Sequence, residues 1–279
     1  MTIAALLALA VVGCGVGFLS GLVGIGGGVL IVPFLYFFYG HAEWSGVVVP
    51  ESLHATMAHA TSLFIIVPTA VVGTLTYARA RLVAWKAVWP IAFASLVAAA
   101  LGAMVASRVP QELLRLGFGF FLVFTAANLV APRPQSATGR MRLGIPVVAV
   151  TGGLVGLLSA LLGVGGGLVA IPLLMYVVRI NVEQVAATSL AIVVVAATSG
   201  SVTYVLAGLG APGLPSGSFG YVHMAAALPM LPGAMLAARL GARANQRMDP
   251  RHLRWAFAAL FVVLGVRLVM TNLGSLLTR

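Results

Sequence analysis

The chain has 279 residues, of which 61% are hydrophobic and 8% charged. A soluble domain carries about 25% charged residues, so that class is excluded. The net charge of +11 does not point to nucleic acid: the fifteen Arg and one Lys sit mostly in short loops between apolar runs, and no basic face or aromatic-basic motif appears.

Several stretches lack Asp, Glu, Lys and Arg for longer than the ~20 residues that span a bilayer. The longest, Gln184–Ala238, has room for two spans. In chain order the predicted spans of the first half are 3–23, 28–39, 55–78, 87–107 and 113–131. Those of the second half are 144–162, 167–178, 184–206, 220–239 and 253–273. The segments 28–39 and 167–178 reach only about 18 Å as helix, short of a ~30 Å hydrocarbon core. The fold predicted is all-α and polytopic, with about eight transmembrane helices plus two short half-spans. Residues 1–131 and 144–279 form two membrane repeats joined by a cytoplasmic linker, 132–143.

The repeat is written in the residues. GFLSGLVGIGGGVLIVPFLYFF begins at Gly17 and GLLSALLGVGGGLVAIPLLMYVV at Gly156, each with proline five residues after the last glycine (Pro33, Pro172). Ala60-Thr61-Ser62-Leu63 returns as Ala187-Thr188-Ser189-Leu190, Thr76-Tyr77 as Thr203-Tyr204, and Gly102-Ala103-Met104 as Gly233-Ala234-Met235. Equivalent loops differ in charge: 79–86 carries Arg79, Arg81 and Lys86, while 207–219 carries none. The loop 108–112 is nearly neutral, while 239–252 is rich in arginine. By the positive-inside rule equivalent loops then lie on opposite membrane faces, as inverted repeats require. Positions near Gln135 and Gln246 are expected in the cytoplasm, with Ser216 outside.

A glycine cluster inside a membrane segment breaks the helix and exposes N–H groups that have no intrahelical partner. With the helix dipole, such a terminus attracts anions. Gly26, Gly27 and Gly28, with Gly165, Gly166 and Gly167, are therefore candidate substrate-binding residues. The competing reading is close packing through small residues, which Gly13, Gly17 and Gly21 fit by their four-residue spacing. The hydroxyls of Thr61, Ser62, Thr188 and Ser189 complete the candidate site; their alternative is helix capping or back-bonding. His59 is the candidate proton-linked residue, against a hydrogen bond to backbone or water, and His223 is read as such a helix-end residue. All five carboxylates fall in loops or at span ends, which argues against a cation site. Arg267 is expected to snorkel to the interface. Cys14, the only cysteine, allows no intrachain disulfide and no thiolate metal cage, and is expected to be buried.

The doubled G-x-G-G-G-x-x-x-x-P, each copy followed by A-T-S-L, resembles the TauE/SafE family of sulfite and organosulfonate exporters. The resemblance runs from about Gly13 to Met270. It implies a permease of the bacterial inner membrane that moves small sulfur-containing anions. The reading drawn from both sources is a secondary transporter of such oxyanions in the lipid bilayer. No cofactor, metal or nucleic acid is expected. Two alternatives stand beside it: an anion channel using the same site, and a non-transport assembly protein or embedded enzyme. The scarcity of buried acids and the lone cysteine count against an enzyme.

Overall fold

A computed structural model of the chain describes residues 1–130, 141–245 and 251–277. The first half contributes α1 (Ile3–Val23), α2 (Gly28–Gly40), α3 (His54–Arg79), α4 (Trp85–Ala106) and α5 (Gln111–Val130). The second contributes α6 (Ile145–Leu162), α7 (Gly167–Val178), α8 (Val182–Ala207), α9 (Met224–Asn245) and α10 (Arg251–Leu277). Eight of these helices are long, and the two that follow glycine clusters are short. Among the described residues, α1, α3, α4, α6, α8 and α9 are long and apolar enough to cross a membrane. The all-α, polytopic reading therefore holds.

The packing is exchanged between the halves. Helix α1 lies along α9, and its counterpart α6 lies along α4. Helix α3 packs on α9 as α8 packs on α4, while α3 meets α8 and α5 meets α10. Glycine sets the closest of these approaches. Gly13, Gly17 and Gly21 face the carbonyls of Met230, Ala234 and Ala238, where any Cβ would collide. Gly152 and Gly156 stand in the same way against Ile91 and Ser95. Apolar side chains gain little by leaving lipid tails, so helices there associate through such backbone approach. Residue numbers rise together on both members, so each pair runs parallel.

Each short helix returns to the end where its hairpin began. Thr2 Oγ1 donates to the Trp44 carbonyl at 2.7 Å, next to the start of α1. The Arg142 N–H donates to the Val178 carbonyl at 2.9 Å, next to the start of α6. Helix α3 leaves the first of these ends and finishes at the second, where the Ala84 N–H donates to Thr188 Oγ1 of α8 at 3.1 Å. The α1–α2 hairpin therefore enters from the first end and the α6–α7 hairpin from the second.

Two expectations change. Helix α9 starts at Met224, behind a two-residue β-hairpin (β1 Ser218–Phe219, β2 Val222–His223), and continues to Asn245. Arg239 and Arg243 therefore lie on a helix rather than in a loop. The extension is held because Gly241 fits against the Phe18 carbonyl and Asn245 Nδ2 donates to the Leu22 carbonyl. Cys14 is exposed, because Gly13 and Gly17 turn the packed face of α1 to α9 and leave Cys14 on its flank. Most of the predicted linker 132–143, with Gln135, and the Gln246 position lie outside the described residues.

Candidate functional site

The two glycine turns cross at the centre of the molecule. Gly24 and Gly163 end α1 and α6 in the left-handed conformation, at φ 78° and 66°. Gly26, Gly27, Gly165 and Gly166 are also left-handed, at φ 80–85°. L side chains are strained there, so these turns require glycine. The next residues begin α2 and α7.

The clustered glycines divide into three roles, repeated in each turn. Gly27 and Gly166 close a hairpin on itself: a Cβ would meet Val16 Cγ1 at 2.5 Å in one and the Val155 carbonyl oxygen at 2.8 Å in the other. Gly28 and Gly167 face the opposite turn, where an added Cβ would stand 2.5 Å from the Gly163 carbonyl oxygen and 2.6 Å from Ile25 Cα respectively. Gly26 and Gly165 face Ile66 of α3 and Val193 of α8, residues at the middle of those helices. Close packing thus describes Gly27, Gly28, Gly166 and Gly167, while Gly26 and Gly165 are fixed by their left-handed backbone.

All six clustered glycines are buried, and none of their N–H groups donates a hydrogen bond among the described residues. Buried backbone N–H groups are paired in more than nine cases in ten. Leaving one unpaired costs about 1–3 kcal/mol.

The A-T-S-L segments tie the halves together. Ser62 Oγ donates to the Gly163 carbonyl at 2.7 Å, and Ser189 Oγ donates to the Gly24 carbonyl at 2.9 Å. Thr61 Oγ1 accepts from the His223 N–H at 2.9 Å, and Thr188 Oγ1 does the same for Ala84. Those two N–H groups stand immediately before α9 and α4. Each threonine therefore satisfies an orphan donor at a helix start in the other half. The serines reach the crossing and the threonines turn away from it. The repeated tyrosines hold each hairpin's first helix: Tyr77 Oη donates to the Gly21 carbonyl and Tyr204 Oη to the Ala160 carbonyl, both at 2.9 Å. Thr188→Val is nearly isosteric but strands the Ala84 N–H. It is expected to lower stability by about 1–3 kcal/mol, read as a fall in Tm of the purified protein, and Thr61→Val should do the same.

His59 breaks the symmetry. Gly163 packs against its Cα as Gly24 packs against Ala186, the equivalent residue. His59 is wholly buried, and its Nε2 pairs with Tyr36 Oη at 2.6 Å. Tyr36 in turn lies under the Arg115 guanidinium, 5.6 Å from ring centroid to Cζ. His223 stands immediately before α9, its ring nitrogens have no protein partner among the described residues, and burial pushes its imidazole down to about 4.

The Arg115–Tyr36–His59 chain leads from the first end to the crossing. A cavity of about 600 Å³ opens there, lined by Tyr36, Arg115, Arg267 and Asn272 among others. A second cavity of about 610 Å³ shares Glu51, Arg115, Thr271 and Asn272 with it. Among the described residues, a cavity of about 30 Å³ lies beside Pro172 and Met175 toward the other end. Arg267 is exposed, as an arginine reaching for the interface would be, and it lines the 600 Å³ cavity. Arg115 was not among the residues singled out from the sequence; the available signal was a cation one turn inside α5.

Crossed re-entrant hairpins inside a bundle of long apolar helices define a multi-pass membrane protein. The sulfite exporter TauE/SafE family model matches residues 9–268, and the chain belongs to that family. It is 28% identical to a probable membrane transporter protein of Haemophilus influenzae, over 93% of this chain and 96% of the relative. It is also 28% identical to the probable membrane transporter protein MJ0441 of Methanocaldococcus jannaschii, over 94% of each. Identity to YunE of Bacillus subtilis, another probable membrane transporter protein, is 25% over 96% of this chain and 98% of the relative. No solved structure matches the chain. The protein is a membrane transporter by family, and a bacterial cell membrane fits its bacterial relatives.

Proposed function

We propose that the protein is a secondary transporter, an exporter of small sulfur-containing oxyanions such as sulfite or an organosulfonate, with the ion held where the glycine turns cross. The observation that carries this reading is that the N–H groups of the buried residues Gly26–Gly28 and Gly165–Gly167 have no partner among the described residues. Non-helical backbone at membrane depth is tolerated where it is buried in protein or lines a cavity. Anionic oxygens are the natural acceptors for such donors. The hydroxyls of Ser62 and Ser189 stand beside the donors and can exchange a carbonyl for a ligand oxygen as the turns move; Thr61 and Thr188 keep the surrounding helix starts in place.

The halves act as inverted repeats that rock about the crossing. The end carrying Arg79, Arg81, Lys86, Arg142 and Arg179 is read as cytoplasmic by the positive-inside rule, which makes the open cavity external. His59 is the residue through which a proton would be linked to the anion.

Purified protein in liposomes should take up labelled sulfite with saturation. Unlabelled sulfite or sulfonate on the opposite side should accelerate that uptake by counterflow. Saturable uptake without counterflow would indicate a channel, and no flux of sulfite, taurine or sulfoacetate would end the proposal.

A further inference from the structure

The external cavity has features that the glycine crossing does not use. Its walls come from α2, the loop before α3, α5 and α10, and two arginines from helices distant in sequence line it. Arg115 on α5 has a side chain only 19% exposed, and Arg267 lies on α10. A guanidinium drawn inward is normally matched by a carboxylate close enough to bond it. Here the Glu51 carboxylate stands 3.9 Å from Arg115 and is 86% exposed, which makes a weak, water-screened pair. Among the described residues, Arg115 Nε has no hydrogen-bond partner. The face of Tyr36 supports the guanidinium plane without neutralising it. The other titratable groups on these walls are Tyr39, His41 and His54, with Arg108, Glu112 and Tyr221 in the adjoining cavity. His54 is engaged with the Val49 carbonyl at 2.9 Å.

We propose that this cavity is a second anion site, an antechamber in which a small sulfonate or sulfite-like oxyanion sits between Arg115 and Arg267 before or after it passes the glycine crossing. The inference rests on the anion-transport reading for its ligand class, but the site is spatially separate and chemically different. It holds the ion with fixed cations, whereas the crossing offers only backbone dipoles. The two guanidiniums present planar donor forks suited to oxyanions, and Thr271 and Asn272 offer polar groups at the same wall. About 600 Å³ lies within the usual range for a ligand pocket and leaves room for a hydrated ion. Tyr36 forms the floor and, through its bond to His59, connects the antechamber to the Gly163 turn.

The test places a cysteine in the cavity and asks which charge it attracts. Thr271→Cys in a Cys14→Ala background puts a thiol one helical turn from Arg267, and His41→Cys gives a second reporter on the opposite wall. Detergent-purified protein is reacted with 2-sulfonatoethyl methanethiosulfonate and with its trimethylammonium counterpart, with Ser216→Cys as an exposed reference. The anionic-to-cationic rate ratio, relative to that reference, should be raised about tenfold at physiological salt, the size expected for a nearby screened cation. Arg115→Gln and Arg267→Gln should each lower the ratio, and together they should abolish the preference. Ethanesulfonate, which unlike sulfite does not consume the reagent, should protect the cysteine in the parent and not in the double variant. No preference in the parent, no protection, or a ratio unmoved by either arginine substitution would overturn the antechamber. Gly27→Val should leave the labelling ratio unchanged even where it stops transport, so failure of the crossing and failure of the antechamber register separately.

Discussion

One methyl group at Gly28, or at Gly167, is expected to abolish transport. Both residues begin helices with ordinary backbone angles, so alanine there costs nothing in φ. The penalty is entirely contact. At Gly28 the new Cβ would stand 2.5 Å from the Gly163 carbonyl oxygen, 2.7 Å from Val164 Cα and 2.8 Å from Ile66 Cδ1. At Gly167 it would stand 2.6 Å from both the carbonyl carbon and Cα of Ile25. Most of these neighbours are backbone of the opposite turn and cannot rotate away. Overpacking of this kind costs about 1–3 kcal/mol. The turns must separate by a large fraction of an ångström, and misplacement on that scale can cost about 100-fold in rate where geometry matters. Gly28→Ala and Gly167→Ala should therefore each lower transport in liposomes by about 100-fold or more, with a modest fall in Tm. Gly15→Ala and Gly153→Ala, where nothing lies within 4 Å, are the controls and should remain active. Normal flux in both Gly28→Ala and Gly167→Ala would mean that the turns do not meet as described.

Transport should favour monoanions over dianions, although the antechamber should accept both. No charged side chain is among the described neighbours of the crossing glycines; in the proposed site the positive potential comes from the N-terminal ends of α2 and α7. Each helix start offers about half a unit of positive charge, so the two together match about one negative charge. A second negative charge would be desolvated without compensation. At neutral pH sulfite is a mixture of bisulfite and the dianion, while sulfonates are singly charged. Flux at limiting substrate should therefore be at least about tenfold higher for a sulfonate than for sulfate, a gap of only ~1.4 kcal/mol. Sulfite flux should rise as pH falls below neutral, because bisulfite replaces the dianion. Competition between sulfate and a labelled sulfonate across that pH range reads both effects. Equal flux of sulfate and sulfonate would place a fixed cation at the crossing itself, and Arg115 or Arg267 would have to reach it in another conformation.

Much of this molecule is legible in the residues alone, for physical reasons that are local. Partition into a bilayer depends on the summed apolarity of about 20 consecutive residues, so the long spans could be counted before any contact was known. A helix cannot run unbroken through four glycines in five positions without cost, so the two turns announced themselves, and with their prolines and A-T-S-L segments they carried the family. The limit of local reasoning is visible at Thr61 and Ser62. They are neighbours in sequence and were read as one pair of donors. On a helix adjacent residues point about 100° apart, and the partners lie in the other half: the Gly163 carbonyl for Ser62 and the His223 N–H for Thr61. Gly26, Gly27 and Gly28 were likewise one motif, yet each faces a different neighbour. Arg115 and Arg267 are separated by most of the second half and share one cavity only because α5 packs against α10. The sequence by itself determined the membrane class, the recurrence of the motifs and the places where the helices break, because those follow from short-range composition and backbone chemistry. Tertiary structure alone decided which glycine faces the crossing, what each hydroxyl bonds and where the cations converge, because those depend on contacts between segments that meet only when the two halves pack.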